Sequence, residues 1–337
     1  MAPASLSTQL VHFLKEWTLP VAIVVGTVSY LLFYFVPSLD DAGTALAPVF
    51  DVLLPLFVFL TLFITFCKVD FHQMLPHRWH VGVLVVQLLL VAVVAAACLW
   101  ADQLTHRLPF GGRGWGLFFE ALLTCTIGPS AAAAPVVVGK LGGNISTMTT
   151  YTLLSAFASA LLIPLVFPLL EQMVHTDFLS AFLMILYKVA LVLLLPLVLG
   201  WLTQHHAPSL ARQITAMPNL SFYTWAVSLS ITTGITVKNI VHSEATVLLL
   251  AAIAAGTLLL CAVQFVLGRA IGRLLGEEVN AGQALFQKNT GLSIWVSYMY
   301  LSPVASIGAG CYVLWQNIIN SVEIWAFSAQ KQIVLQK

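Results

Sequence analysis

The chain has 337 residues, 60% of them hydrophobic and 8% charged, with a formal net charge of +1. Soluble domains carry about 25% charged residues, so this composition belongs to an integral membrane protein and excludes the soluble enzyme classes. The near-neutral balance offers no basic surface, which excludes nucleic acid as a partner.

The N-terminal stretch MAPASLSTQLVHFLKEW lacks a basic region followed by a short apolar core and a small-residue cleavage site. It reads as a retained amphipathic lead-in, not a signal peptide. A helix needs about 20 apolar residues to cross the hydrocarbon core of a bilayer, and by that rule ten spans are predicted. The first five are Leu19–Val36, Ala45–Cys67, Val81–Ala101, Trp115–Val138 and Ile145–Leu170. The second five are Phe178–Leu202, Leu220–Ile240, Thr246–Leu274, Asn280–Leu301 and Val304–Trp325. No linker between them is long enough for a soluble domain, so the fold class expected is an all-α membrane protein forming a single unit. Cys67, Cys98, Cys125, Cys261 and Cys311 lie in or beside apolar stretches without a CxxC pair and read as small buried hydrophobes. The histidines gather at span ends, as His77, His80, His205 and His206 do, and supply no metal-site spacing. No cofactor is expected.

Two spans are interrupted. In the ninth, Lys288, Asn289, Thr290 and Gly291 follow one another inside QALFQKNTGL. A cation, an amide, a hydroxyl and a glycine do not extend a membrane helix. They predict a helix that opens at mid-depth, where freed backbone groups must face protein or a cavity. The fourth span has the same character in GPSAAAAPVVVG, Gly128–Gly139. Each interrupted span is the fourth of five, so the chain divides into two five-span halves. An odd number of spans per half inverts one half against the other, which is the pattern of inverted-repeat transporters.

The Lys/Arg bias sets the expected orientation. With the N-terminus in the cytoplasm, the inner segments carry Lys15, Lys68, Arg78, Lys140, Arg212, Arg269, Arg273, Lys331 and Lys337. The outer loops carry only Arg107, Arg113 and Lys238, and the remaining two cations, Lys188 and Lys288, fall within spans. Both termini are therefore expected in the cytoplasm.

The stretches TIGPSAAAAPVVVGKLGGNISTMTTYTLLS, FQKNTGL and SPVASIGAGCYVLWQNIINS resemble the bile acid:sodium symporter (BASS) family. The likeness covers nearly the whole membrane part, as a divergent bacterial-type member, and implies the inner (plasma) membrane as its location. It further implies a core domain of spans three to five and eight to ten (81–170 and 246–325), in which spans four and nine cross. A panel domain of spans one, two, six and seven (19–67 and 178–240) would move against it.

The resemblance also exposes departures. Sodium-coupled members read Glu-x-x-x-Gln-Asn-Ser-Gly-Leu in span nine, where this chain has Ala284 for the glutamate and Lys288 for the glutamine. The family's Pro-Gly-Gly-Thr-Ala-Ser-Asn in span four falls on Pro129 to Pro135, so that its serine and asparagine ligands become Ala134 and Pro135. In span five the serine ligand falls on Met148, while Thr152 remains. Gln87 in span three matches a further ligand. A hard cation needs several oxygen ligands, and a lysine ammonium offers donors only. Sodium is therefore not expected at this site, and Lys288 reads as a covalently attached substitute for it. A lysine that stays charged would make a permanent pin; one that releases and regains its proton would couple transport to protons.

Several roles stay open on sequence alone. Lys288 serves coupling or a structural partnership that holds the crossing together. Asn289 and Thr290 contact substrate or satisfy the opened backbone. Pro129 and Pro135 break span four and leave half-helix N-termini that favour anions. Ser130 donates to substrate or caps the second half-helix. Gln87, Thr152 and Glu120 are coupling candidates, Glu120 as a proton relay to Lys288 or as a group at the outer interface. Lys188 pairs with Asp51 or faces the cavity, and Glu323 faces water or pairs locally near the inner end of span ten.

The function expected is secondary transport of a small organic anion of carboxylate type. Sodium symport through a rearranged site is the alternative within transport. A membrane sensor or scaffold is the alternative outside it, and no soluble output domain follows the spans. Reporters fused at either terminus should both report cytoplasmic; a C-terminal reporter active only outside would refute the ten-span count.

Overall fold

The computed structural model describes residues 18–69, 74–104, 113–170, 177–217 and 220–335. Lys15, Arg107 and Lys337 of the charge argument lie outside them. Among the described residues the secondary structure is helical apart from one two-residue bridge. Helix α1 (Thr18–Phe35) leads through a short 3-10 turn into α2 (Asp40–Cys67), followed by α3 (Arg78–Leu104). Helices α4 (Gly114–Ile127) and α5 (Ala134–Lys140) are the two parts of the fourth predicted span, and α6 (Ile145–Leu170) is the fifth. Then come α7 (Phe178–Leu193), α8 (Leu195–His206), α9 (Pro208–Thr215), α10 (Leu220–Val241) and α11 (Val247–Leu275). The ninth predicted span is divided into α12 (Glu278–Phe286) and α13 (Thr290–Tyr300), and α14 (Pro303–Leu335) follows.

Each of the ten predicted stretches is helical. Among the described residues six helices are long and apolar enough to cross a membrane, and Pro20–Phe35 and Gly114–Ile127 are shorter apolar ones. Three features depart from expectation. The sixth stretch is interrupted at Leu194, ahead of Pro196 at the start of α8, because proline cannot donate to the turn before it. Helix α14 continues ten residues past Trp325. Helix α9, PSLARQIT, is too short and too polar for a hydropathy rule to find; it buries Ala211 and Ile214 on one face.

Helix α11 explains how the broken span is held. Its buried residues include Ile253, Thr257, Cys261, Gln264, Gly268 and Gly272, spaced by three or four, so small and polar side chains form a single inward stripe. Leu248, Leu259 and Val266 point outward and are exposed, as suits a lipid-facing surface. Small residues let two backbones approach without a hydrophobic driving force. At Gly268 a β-carbon would lie 2.6 Å from the Ala281 carbonyl oxygen of α12. Thr246 caps the start of α11 by accepting from Leu249 N at 3.2 Å, and Gly276, at φ +79°, ends it in the left-handed region. The tight turn then sends α12 back along α11.

Elsewhere α1 and α2 pack against α10, α3 against α4, and α14 against α4, α11 and α13. Gly268→Val should force α11 and α12 apart, costing about 1–3 kcal/mol. Thermal unfolding in detergent should register a lower midpoint, and an unchanged midpoint would refute the close-approach account.

Candidate functional site

The site begins with two gaps in helical hydrogen bonding. Helix α4 stops at Ile127, Gly128 is extended, and α5 does not start until Ala134. Helix α12 stops at Phe286, Gln287 is extended, and α13 starts at Thr290. The gaps meet. Ser130 and Lys288 form an antiparallel bridge, with Asn289 N donating to Pro129 O at 2.9 Å and Ala131 N donating to Gln287 O at 2.8 Å. Each broken strand thus supplies the partner that the other needs.

Side chains satisfy most of what remains. Gln87 of α3 donates to Gly128 O at 3.1 Å and to Thr126 O at 3.4 Å. Ser159 Oγ donates to Ile127 O at 2.8 Å, and Ser155 Oγ accepts from Ser130 N at 3.0 Å. On the other break, Tyr312 Oη donates to Phe286 O at 2.7 Å and Gln316 Oε1 accepts from Lys288 N at 3.0 Å. Gln264 Nε2 reaches Cys125 O and Tyr312 Oη at 3.3 and 2.9 Å.

Lys288 is the exception. It is 1% exposed, and its Nζ has no hydrogen-bond partner among the described residues. Cys125 of α4 lies near enough to interact with it electrostatically. Four further buried polar atoms at the crossing also have no partner among the described residues: Ser130 Oγ, Gln264 Oε1, Gln287 Oε1 and Ser293 Oγ.

The positions that the resemblance matches to sodium ligands are filled differently. Ala134, Met148 and Ala284 are each fully buried and belong to one apolar cluster with Trp79, Tyr151 and Leu285. Thr152 Oγ1 is turned into its own helix, donating to Met148 O at 3.0 Å.

Two cavities adjoin the crossing. The larger, about 680 Å³, is lined by α2, α5, α6, α10 and α14 and by Pro135 and Gln287. Among the described residues, its charged lining consists of Lys68 and Lys140. The smaller, about 20 Å³, is lined in part by Asn289, Thr290 and Gly291.

The sequence-derived residues divide accordingly. Asn289 caps α13, its Oδ1 accepting from Leu292 N at 3.2 Å, while also lining the small cavity. Thr290 lines the same cavity, and Pro135 the large one. Ser130 does not cap α5; its backbone N pairs with Ser155 instead, and its side chain lines neither cavity. Glu120 is buried and accepts from Ser302 Oγ at 3.3 Å, beside the start of α14. The Lys188–Asp51 pair is not among the ion pairs of the described residues, and Lys188 lines neither cavity. It is exposed, with its Nζ 5.8 Å from the Tyr300 ring centroid, because a lysine at the protein surface satisfies itself on an aromatic face. Glu323 pairs locally, with Arg269, and accepts from Gln283 Nε2 at 2.6 Å.

A family model described as the Sodium Bile acid symporter family matches residues 55–243, more than half of the chain. The chain belongs to that family. No curated protein matches it. The matched part of the symporter fold contains the first break and ends before Lys288.

Sequence reasoning missed Gln264, Gln316, Tyr312, Ser155 and Ser159. The signal was available, since an amide inside an apolar span is costly unless a buried partner needs it. Gln316→Met keeps the volume but leaves Lys288 N unpaired, which should cost about 1–3 kcal/mol. Thermal unfolding should fall accordingly; a wild-type midpoint would mean that the crossing does not depend on this amide.

Proposed function

We propose that this symporter-family protein is a secondary transporter of a small carboxylate-type organic anion, working by alternating access without sodium. In this reading Lys288 stands in the place of the ion. The observation that carries it is the apolar filling at Ala134, Met148 and Ala284 beside a buried lysine. An alkyl cluster offers a hard cation no ligand. Two unit charges about 4 Å apart repel by about 4 kcal/mol at an effective dielectric near 20, roughly a thousandfold in affinity. The oxygen-bearing remnants are already engaged, Gln87 Oε1 accepting from Tyr151 Oη and Thr152 Oγ1 donating to Met148 O.

The anion preference rests on the larger cavity, whose charged lining is cationic. Its volume suits a small organic molecule. The ten-span inverted arrangement, with a panel of 19–67 and 178–240 and a core of 81–170 and 246–325, is part of the proposal. It draws support from a repeated device. In each half, a glutamine on the helix before the break pairs with a tyrosine on the helix after it: Gln87 with Tyr151 at 3.1 Å, and Gln264 with Tyr312 at 2.9 Å. Both termini are assigned to the cytoplasm of a bacterial inner membrane by the charge bias. Lys288 Nζ, with no fixed partner among the described residues, is free to exchange a proton between states and so to couple transport to a pH gradient.

Proteoliposome uptake of a carboxylate panel, with sodium and pH gradients imposed separately, tests this. Replacing sodium by potassium or choline should leave uptake unchanged, and Lys288→Ala should abolish or uncouple it. Lys288→Gln alone should not create sodium dependence, whereas Ala284→Glu with Lys288→Gln is the informative pair. Saturable sodium dependence of wild-type uptake would refute the substitution of lysine for the ion. Sodium-free uptake indifferent to pH would make Lys288 a fixed pin.

A further inference from the structure

The two cavities are neighbours, and they share three lining residues: Thr61 of α2, Ala132 of the first break and Trp225 of α10. These three form the wall between a space of about 680 Å³ and one of about 20 Å³. A space of roughly 10–15 Å³ holds a single water, so the smaller chamber admits about one water and no carboxylate. Yet the chamber is where Asn289 and Thr290, at the opened end of α13, become accessible. Its remaining polar lining, Ser228 and Thr232, is hydroxylic and uncharged.

Of the three wall residues only one can move far. Ala132 has a methyl group. Thr61 is held by its own helix, its Oγ1 donating to Phe57 O at 2.7 Å. Trp225 is large and half-buried, and its ring contact is an edge-to-face one with Phe222 on the same helix, at 5.9 Å between centroids. Trp225 lines both spaces, so a rotamer change of the indole is the side-chain movement that would join them.

We propose that Trp225 is a specificity-determining residue. It closes the chamber at the second break and sets the size of anionic group that reaches Asn289 and Thr290. The proposal rests on the anion-transport reading for the nature of the ligand, but its geometry does not. An anion drawn into the large cavity by Lys68 and Lys140 meets Trp225 on its wall, with Asn289 and Thr290 in the chamber on the other side.

Thiol accessibility tests this without a known substrate. Single cysteines are introduced at Ser228 or Thr232 in the chamber and at Asn317 or Ser321 in the large cavity. They are placed in the wild-type, Trp225→Phe and Trp225→Ala backgrounds. The native thiols are buried or half-buried, and the unsubstituted chain gives the background. A sulfonate-bearing methanethiosulfonate is added to the side on which Asn317 reacts. Cysteines of the large cavity should react at the same rate in all three backgrounds, which also reports correct folding. Chamber cysteines should react at least tenfold faster in Trp225→Ala than in wild type, with Trp225→Phe between them. Equal chamber rates in wild type and both variants would overturn the proposal. The same comparison with a trimethylammonium reagent separates the two readings. Faster sulfonate labelling at Asn317 supports the anionic ligand. Faster cationic labelling there would overturn the anion reading, while a Trp225 effect on the chamber would persist.

Discussion

Backbone amides in an apolar medium cannot be left open, and that requirement governs this structure. A helix that crosses lipid satisfies its own hydrogen bonds; a helix that breaks there frees several donors and acceptors, each costly if unpaired. The chain meets the cost by breaking twice and setting one break against the other. The bridge of Ser130 and Lys288, with its flanking bonds from Asn289 N and Ala131 N, makes a two-residue sheet inside an all-helical protein. Neither break is stable without the other. The close approach of α11 to α12 at Gly268, and the placement of α3, α6 and α14 around the crossing, follow from the need to bring those two strands together and to reach them with amides and hydroxyls.

Against that provision Lys288 stands out in a particular way. Its backbone is fully served, by Gln316 on the amide and by Thr290 on the carbonyl at 2.9 Å. Its side-chain Nζ has no hydrogen-bond partner among the described residues. A residue retained for the backbone alone would not need a lysine, since any side chain carries the same amide. The ammonium is therefore the part of Lys288 that backbone pairing does not explain, and the proposed coupling role rests on it. The apolar cluster at Ala134, Met148 and Ala284 agrees. Where a carboxylate would have compensated the ammonium at position 284, the chain has a methyl group, so the lysine is not held in a local ion pair there.

Much of the fold was legible because it follows from transfer energetics. Long apolar stretches predict helices, and every predicted stretch is helical. The breaks were legible because Pro129, Pro135 and the Lys288–Gly291 run violate helix continuity in otherwise apolar surroundings. Their exact limits were not. Gly291 looked like the breaker but lies inside α13, and the gap falls one turn earlier, at Gln287 to Asn289, where pairing with Pro129 and Ala131 decides it. Ser130 shows the same limit. Local capping rules favour a serine near a helix start, but Ser155 from α6 takes its backbone N instead. Lys188 and Asp51 were matched by depth alone, and depth does not specify which face a side chain takes around a helix. Long-range partners such as Gln264, Gln316 and Tyr312 carry no local signature beyond being polar where polarity is expensive.

The family match covers the first break but not the second. Residues 55–243 carry the likeness and include the first break, whereas the lysine and the glutamine that serves it, Gln316, lie beyond. The two breaks nevertheless form one structural unit, so a change in either half is felt in both. Replacing an oxygen ligand by alanine at position 134, in the matched half, removes a reason for an ion to sit beside α12. Introducing a lysine at position 288, in the other half, removes the room and the charge balance for that ion. On the proposed reading, each change alone would leave a damaged cation site, whereas together they would make a site that no longer asks for a cation, with the ammonium in the place of the metal ion.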